Sequence, residues 1–215
     1  MGCCMYNGAI VKVILHMKYL TLFLVSYAFV IVVLGPTAVQ AAPSLPQGFT
    51  DTVVFSGLTQ PTAVRFSSDG RVFVAEKSGL IKVFESISDP SPDIFADLRS
   101  NVYDFWDRGL LSIALHPDFP STPYLYALYT LDAPIGGSAP TYNDACADPT
   151  GVGCLAAGRL SKLKASGNMM QGPEEVFIED WCQQYPSHSI GHIAFGGDGA
   201  LYVSGGDGAS FTFTD

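Results

Sequence analysis

Apolar and polar residues alternate in three segments of the chain, and a turn interrupts each segment. The segments cover residues 63–75, 111–129 and 192–204. In the first and third the turn is an Asp-Gly pair, at residues 69–70 and 198–199, whereas the second has a longer turn. Alternation with a period of two on both sides of a short Asp-Gly turn predicts antiparallel β-hairpins.

The repetition of this hairpin predicts an all-β fold. Residues 79–84 add a strand to the first copy, and no window beyond the amino-terminal segment has helical periodicity. Repeated antiparallel sheets favour a β-propeller with four-stranded blades over the alternative, a β-sandwich. About three blades are recognisable, whereas a closed propeller needs at least about four. We therefore expect a partial propeller, from a fragment, a truncated gene model or a chain completed by a partner; a fragment is the simplest explanation.

The first 41 residues have the composition of a secretory signal peptide. They contain no acidic residue, carry Lys12 and Lys18, and include an uncharged apolar run at 20–34. A small-x-Ala sequence ending at Ala41 provides a cleavage site. The alternative is a retained membrane anchor, but this run of 15 residues is shorter than the roughly 20 that a span needs. Met17, just before the run, is the expected start of translation.

Residues 42–215 are strongly acidic. They contain all 20 acidic residues and nine of the 11 basic ones, which gives a formal net charge of −11. Such a surface repels nucleic acid and anionic membranes, so we expect neither as a partner and no membrane span after signal cleavage. We expect a secreted, extracellular protein, or a periplasmic one if the source is bacterial.

Three cysteines follow the signal segment. In an oxidising compartment, Cys146 and Cys154 are the favoured disulfide pair, because they bracket a Pro- and Gly-containing loop. Cys182 is then left over. The spacings do not match a zinc site. The surrounding stretch, residues 134–153, is rich in Gly, Pro, Asp and Thr and is interpreted as a long loop between blades.

The third hairpin carries candidate chemistry. His188 stands at the beginning of its first strand and Asp207 follows its second, so both side chains can lie at the same end. A neutral imidazole is a competent base near pH 7, and a carboxylate fixes its tautomer and stabilises the imidazolium. The alternative is that His188 is a loop residue satisfied by backbone groups and that Asp207 is a turn residue between glycines.

Other conspicuous residues are interpreted as structural. His192 is placed inside a strand, on the face opposite Ile193, and His116 is placed in a turn. The aspartates of the Asp-Gly turns are turn formers. The aromatic strip of Tyr124, Tyr126 and Tyr129 is assigned to the core and sheet surface rather than to a sugar platform.

Several short motifs occur in the same order as in one known family. They are Leu-Pro-x-Gly-Phe at 45–49, Gly-Leu-x-x-Pro-Thr at 57–62, Val-Ala-Glu-Lys-x-Gly at 74–79, Asp-Arg-Gly-Leu-Leu at 107–111 and Ser-His-Ser-Ile-Gly at 187–191. Each is weak alone, but their order is fairly specific. The chain resembles the glucose/sorbosone dehydrogenase family, which comprises soluble sugar dehydrogenases dependent on pyrroloquinoline quinone (PQQ), with hedgehog-interacting-protein-like relatives. The resemblance covers residues 45–215 and corresponds to the amino-terminal part of the family domain.

This resemblance implies a six-bladed propeller in which calcium holds PQQ over one end of the central channel. It implies that His188 takes a proton from a sugar hydroxyl while hydride passes to the quinone, and that Asp207 partners His188. Asp107 and Arg108 fall near the sugar, where the bacterial glucose enzymes have Gln-Gly, and Ser187 replaces an often acidic residue. These departures weaken glucose itself as the expected substrate. Arg108 is either a site cation or an ion-pair partner of Asp107 or Asp104.

The resemblance also places the calcium ligands and most quinone-binding cations beyond residue 215. No Arg or Lys follows Lys164, and a tricarboxylate needs cationic partners. We therefore expect no metal site within this chain and no PQQ binding by this chain alone. Two functions stay open. One is a secreted quinoprotein-type oxidoreductase acting on a sugar or related alcohol, inactive as this fragment; the other is an extracellular propeller that binds a protein or glycan without catalysis.

Overall fold

The structure is a computed structural model that describes residues 45–210. The predicted signal peptide, residues 1–41, lies outside the described residues. Between residues 45 and 210 the chain forms eleven β-strands and no helix. This part of the chain accordingly has no helix long and apolar enough to cross a membrane.

The first sheet has four antiparallel strands in sequence order. Its first two strands pair across the turn at residues 69–70, which confirms the first predicted hairpin. The second strand is buried on both faces, because Phe73 packs into the main core and Val74 packs with Phe84 on the other side. The strands are β1 (Pro61–Phe66), β2 (Val72–Glu76), β3 (Leu80–Phe84) and β4 (Asp93–Asp97).

The second sheet has the order β5-β6-β7-β9, and a two-residue strand, β8, pairs with the end of β7. Its first pair is the predicted hairpin with the longer turn. Two charged residues of β7 are paired with carboxylates: Arg159 lies 2.8 Å from Glu174, and Lys162 lies 2.7 Å from Glu175. The strands are β5 (Leu110–Leu115), β6 (Tyr124–Leu131), β7 (Ala156–Ser166), β8 (Met169–Met170) and β9 (Glu175–Gln183).

The third sheet consists of β10 (Ile190–Phe195) and β11 (Leu201–Gly205), which pair across the turn at residues 198–199 as predicted. Strand β5 packs against both β1 and β10, so the first strands of successive sheets are neighbours. A single cluster of buried apolar side chains spans the three sheets. The described part of the chain is thus a partial β-propeller, with two four-stranded blades and two strands of a third.

The long loop at residues 134–153 lies within a blade. The prediction that it connects two blades is wrong. Strands β6 and β7, on either side of the loop, pair along their whole length in the same sheet. The length of the loop hid this hairpin, because the usual signal is a turn of two to about five residues. The predicted disulfide is confirmed: it joins Cys146, in this loop, to Cys154 directly after it. Cys182 is the one free cysteine of the described residues.

Removing this disulfide should destabilise the protein. The bond closes a loop with a sequence separation of 8, for which the entropy of the unfolded chain gives roughly 2–3 kcal/mol. We expect the double variant C146S/C154S to lose about that much free energy of unfolding in urea denaturation. The exposed, free Cys182 offers the control, C182S, which should unfold at the wild-type midpoint. Equal midpoints for all three proteins would contradict a stabilising role.

Candidate functional site

The first strands of the three sheets run side by side in the same direction. At their beginning, the Thr62 hydroxyl donates to the carbonyl of Leu110 (2.6 Å). Further along, Arg65 Nη2 lies 3.2 Å from Nε2 of His192. The loops that precede these strands therefore gather at one end of the propeller, which we call the site end. It comprises residues 57–60, 104–109 and 184–189, together with residues 206–208, which follow β11.

His188 and Asp207 meet at the site end. His188 lies two residues before β10, Asp207 lies two residues after β11, and His188 Nδ1 is 3.3 Å from Asp207 Oδ1. The two side chains are 46% and 66% exposed, so a solute can reach them. The structure thus brings together the two side chains that the sequence analysis selected. Their chemical role stays a prediction.

Backbone hydrogen bonds extend the hairpin beyond its strands and fix this pair. The N–H of Gly206 donates to the carbonyl of Ser189 (2.7 Å), and the N–H of Gly208 donates to that of His188 (3.0 Å). The buried Ser187 hydroxyl donates to the carbonyl of Ala209 (2.6 Å). The segments that carry His188 and Asp207 are therefore held together by contacts that do not depend on either side chain.

Asp207 is held in its ionised form. The N–H of Ala209, which donates to Oδ1 (3.1 Å), is the main cause that keeps the pKa of Asp207 below its ordinary value, and the neighbouring His188 ring adds to it. A carboxyl with a lowered pKa keeps its charge from neutral pH down through the usual range near 4. Its contact with His188 is lost only as the pH falls through the lowered pKa. Asp207 can therefore act as a permanent acceptor for the imidazole.

Backbone strain is concentrated at the site end. Left-handed backbone is costly for non-glycine residues and clusters at active sites and ligand clamps. One such residue is His188 itself, and two others lie in the segments before β1 and β5. The last two are in the long loop at residues 134–153, which carries Cys146 and is called the disulfide loop below. This loop reaches the site end, where Asp144 Oδ1 accepts a hydrogen bond from the N–H of Asp104 (2.6 Å). Within residues 45–210 the non-glycine residues with positive φ are Gln60 (46°), Trp106 (51°), Asn143 (51°), Asp144 (58°) and His188 (49°).

Asp107 and Arg108 are in the loop before β5, beside the His188 segment. The N–H of Asp107 donates to the carbonyl of Pro186 (3.2 Å), and its side chain is on the surface. Arg108 has no exposed area; its guanidinium donates to the carbonyl of Gln183 (2.7 Å) and lies 4.8 Å from the centroid of the Tyr103 ring. Burial lowers the pKa of Arg108 from its usual value. Arg108 is thus placed to support the site end from within.

Arg108 pairs with neither of the aspartates considered from the sequence. Asp104 instead forms an ion pair with Lys77. Gln183 was not predicted from the sequence. It has no exposed area, its carbonyl accepts a hydrogen bond from Arg108, and its Nε2 donates to the carbonyl of Gly206 (3.5 Å). No motif in the sequence marks Gln183, because its role comes from a contact across 75 positions of the chain.

The disulfide loop packs against the same segments. The N–H of Cys154 donates to the carbonyl of Gln184 (3.0 Å), and the N–H of Tyr185 donates to that of Gly208 (2.9 Å). The Tyr185 hydroxyl reaches the carbonyl of Gly151 (3.2 Å). The loop therefore supports the segment that leads into His188.

The other two histidines of the described range occupy structural positions. The Ser112 hydroxyl lies 3.0 Å from His192 Nδ1, so His192 links neighbouring first strands, and Ile193 is buried on the other face of β10. His116 accepts a hydrogen bond from the N–H of Phe119 on its carbonyl (2.8 Å), which confirms its place in a turn. A cavity of about 680 Å³ beside His116 is lined by the far ends of the first strands and contains neither His188 nor Asp207.

The described residues do not by themselves fit a PQQ–calcium site. Between residues 45 and 210, no three His, Cys, Asp or Glu side chains are placed to hold a metal ion. Arg108, in the loop beside the His188 segment, is fully buried and directed at the carbonyl of Gln183. A quinone carboxylate could not reach it without rearrangement, so we assign no cofactor contact to this part of the chain.

The chain is similar in sequence to known proteins. The family model named Glucose / Sorbosone dehydrogenase matches residues 58–214. Hedgehog-interacting protein from Mus musculus is 30% identical over 169 residues, which are 72% of this chain and 22% of that protein. Quinoprotein glucose dehydrogenase B from Acinetobacter calcoaceticus is 28% identical over 172 residues, which are 69% of this chain and 33% of that protein. The chain thus spans a third or less of these relatives.

Solved structures of sugar dehydrogenases share the fold. A putative oxidoreductase (glucose dehydrogenase) from Thermus thermophilus is 31% identical with a TM-score of 0.55, covering 71% of this chain and 38% of that one. The PQQ-bound aldose sugar dehydrogenase of Streptomyces coelicolor is 20% identical with a TM-score of 0.53, covering 74% and 41%. With the family match across most of the chain, these findings show that it belongs to the Glucose / Sorbosone dehydrogenase family.

Proposed function

We propose that the protein is a secreted sugar dehydrogenase in which His188 is the general base and Asp207 orients it. The observation that carries the proposal is the 3.3 Å contact of His188 Nδ1 with Asp207 Oδ1 at a solvent-accessible end of the propeller. An ionised Asp207 accepts a hydrogen bond from the Nδ1–H of His188, which leaves the imidazole lone pair on Nε2. Nε2 can then take the proton of a sugar hydroxyl, and Asp207 stabilises the resulting imidazolium.

The substrate class and location are parts of the same proposal. Oxidation of the alcohol also releases a hydride, for which PQQ supplies the acceptor when bound in sugar dehydrogenases such as the Streptomyces coelicolor protein. Residues 45–210 are assigned the base and its partner only. Secretion is supported by the composition of residues 1–41 and by the disulfide between Cys146 and Cys154.

Reconstitution of the full-length protein tests this function. The protein is incubated with PQQ and Ca²⁺, and reduction of an artificial electron acceptor is followed with a panel of aldoses. Turnover that requires PQQ and an aldose supports the dehydrogenase. Absence of turnover with every aldose, from protein that remains folded, would refute it.

A second function is favoured by one observation. Hedgehog-interacting protein is 30% identical to the chain, and its name describes binding rather than oxidation. The alternative is therefore an extracellular propeller that binds a protein or glycan without catalysis. It predicts a folded full-length protein that shows no aldose-dependent electron transfer in the reconstitution experiment.

Replacing Asp207 by Asn should lower kcat. Asn keeps the size of the side chain but removes the charge that stabilises the imidazolium. We expect a loss of roughly tenfold or more in kcat at saturating sugar, less than in buried triads because Asp207 is largely exposed. Asp198→Asn is the control, since Asp198 bonds within its own turn, to the N–H of Ala200 and to Tyr202. Equal kcat values for both variants and the wild type would remove Asp207 from the mechanism.

A further inference from the structure

Trp106 occupies an unusual position in the loop before β5. The N–H of Arg108 donates to the carbonyl of Phe105 (3.0 Å), which closes a four-residue turn with Trp106 as its second residue. Trp106 has φ of 51°, in the region that turns normally give to glycine, and it is 45% exposed. A bulky residue in this conformation is a genuine outlier, and such strain persists where the surroundings impose it. Simple core packing does not explain it, because nearly half of the residue faces solvent.

A stack of aromatic rings supports Trp106 from one side. Its ring lies 5.4 Å from that of Phe105 with an interplanar angle of 13°, and Phe105 in turn stacks on Tyr103 (6.2 Å, 26°). Tyr103 is fully buried, stacks on Tyr142 (5.1 Å, 16°) and donates its hydroxyl to the carbonyl of Ala145 (2.6 Å). The exposed indole therefore rests on an ordered base that continues into the disulfide loop.

The turn also brings Trp106 to the side of the His188 segment. The next residue, Asp107, bonds through its N–H to the carbonyl of Pro186, two positions before His188 (3.2 Å). Asp107 follows Trp106 in the same turn and is also exposed. An aromatic face offers apolar contact, and a carboxylate accepts hydrogen bonds from hydroxyl groups. A pyranose ring presents both kinds of surface, with C–H groups on its faces and hydroxyls around its edge.

We propose that Trp106 is a stacking platform for a pyranose ring, with Asp107 accepting hydrogen bonds from the ring hydroxyls. The inference rests on the proposed function in one respect: in the dehydrogenase, the platform presents a hydroxyl of the ring to His188. The binding itself requires no turnover. The ring can belong to a free aldose or to the terminal residue of a glycan, since both present the same faces.

Tryptophan fluorescence reports on this platform directly, because the chain contains only Trp106 and Trp181. In the W181F variant of the full-length protein, Trp106 is the one tryptophan that this chain contributes. D-glucose, methyl α-D-glucopyranoside and maltose are the probes. We expect each to cause a saturable change in emission, including the methyl glycoside, whose blocked anomeric centre prevents oxidation there. If maltose binds at least about tenfold more tightly than glucose, the bound ring belongs to the end of a glycan. If the two affinities are equal, the bound ring belongs to a free aldose.

Calorimetry of W106A provides the second measurement. We expect sugar affinity to fall by about tenfold or more, and W106F, which keeps an aromatic face, to retain part of it. Phe177→Ala is the matched control, because Phe177 is 48% exposed but lies on the outermost strand of the second blade. W106G separates binding from folding. Glycine removes the ring but suits the backbone, so this variant should be at least as stable as W106A and bind no better.

The outcomes separate this inference from the proposed function. If sugar still causes a saturable change in Trp106 emission in the H188A variant, where turnover is absent, the platform is supported even if the dehydrogenase proposal fails. Turnover by W106A with an unchanged KM, or no saturable emission change in W181F up to roughly 100 mM of each sugar, overturns the platform while leaving His188 as the base.

Discussion

Replacing His188 by Ala should lower the rate of sugar oxidation by the reconstituted full-length protein by roughly 100-fold or more. This is the usual size of a lost general base. The imidazole is the group that contacts Asp207, and it stands at an exposed position where a hydroxyl can reach it. The expected loss is in kcat, measured by single-turnover and steady-state reduction of the electron acceptor at saturating sugar and PQQ.

The backbone at His188 determines which second variant to use. Alanine at φ of 49° is strained, so part of any loss in H188A could come from a displaced loop. Asn tolerates the left-handed region and lacks a base, so H188N should keep the fold and still lose the rate. His116→Ala, in a turn at the far end of the first strands, should be nearly wild type. A loss of less than about threefold in both His188 variants would dismiss His188 as the base.

The hairpins could be predicted because their signals are local. Alternation and an Asp-Gly turn specify both strands of each of the two Asp-Gly hairpins within about a dozen residues. Strands β4, β7 and β9 were not predicted from the sequence, because their signals are not local. Strand β9 is an outer strand with mostly exposed residues, so it lacks an alternating pattern. Strand β7 contains charged residues, among them Lys162, whose partner Glu175 lies on β9. Such pairs can be recognised only when the neighbouring strand is known.

The site was predictable to the extent that it follows from hairpin geometry. His188 and Asp207 flank the paired strands β10 and β11, so the pairing alone brings them to one end. The environment of Arg108 did not follow from sequence, because a charged residue is normally expected at the surface. Its burial depends on Tyr103 and on the carbonyl of Gln183, which belong to other parts of the chain. The strained turn at Trp106 is likewise a tertiary property.

A methyl group at Gly206 should disable the site even though it changes neither His188 nor Asp207. A Cβ at Gly206 would collide with the carbonyl oxygen of His188 and lie 2.9 Å from that of Ser189. Both neighbours are backbone atoms, so the two segments must move apart. The hydrogen bond from the N–H of Gly206 to Ser189 would be strained, and the contact between His188 and Asp207 would open. Because a displacement of about 1 Å can cost about 100-fold in rate, we expect G206A to lose roughly that much kcat.

Gly197→Ala is the matched control for this prediction. Gly197 lies in the turn between β10 and β11, and a Cβ there would meet no atom within 4 Å. The same chemical change in the same hairpin should therefore leave both kcat and the unfolding midpoint close to wild type. G206A should lose rate and stability together, since one steric conflict affects the hairpin and the catalytic pair. If G206A loses stability but keeps its rate, the geometry of the His188–Asp207 pair cannot be what limits the reaction, and the base must be sought elsewhere.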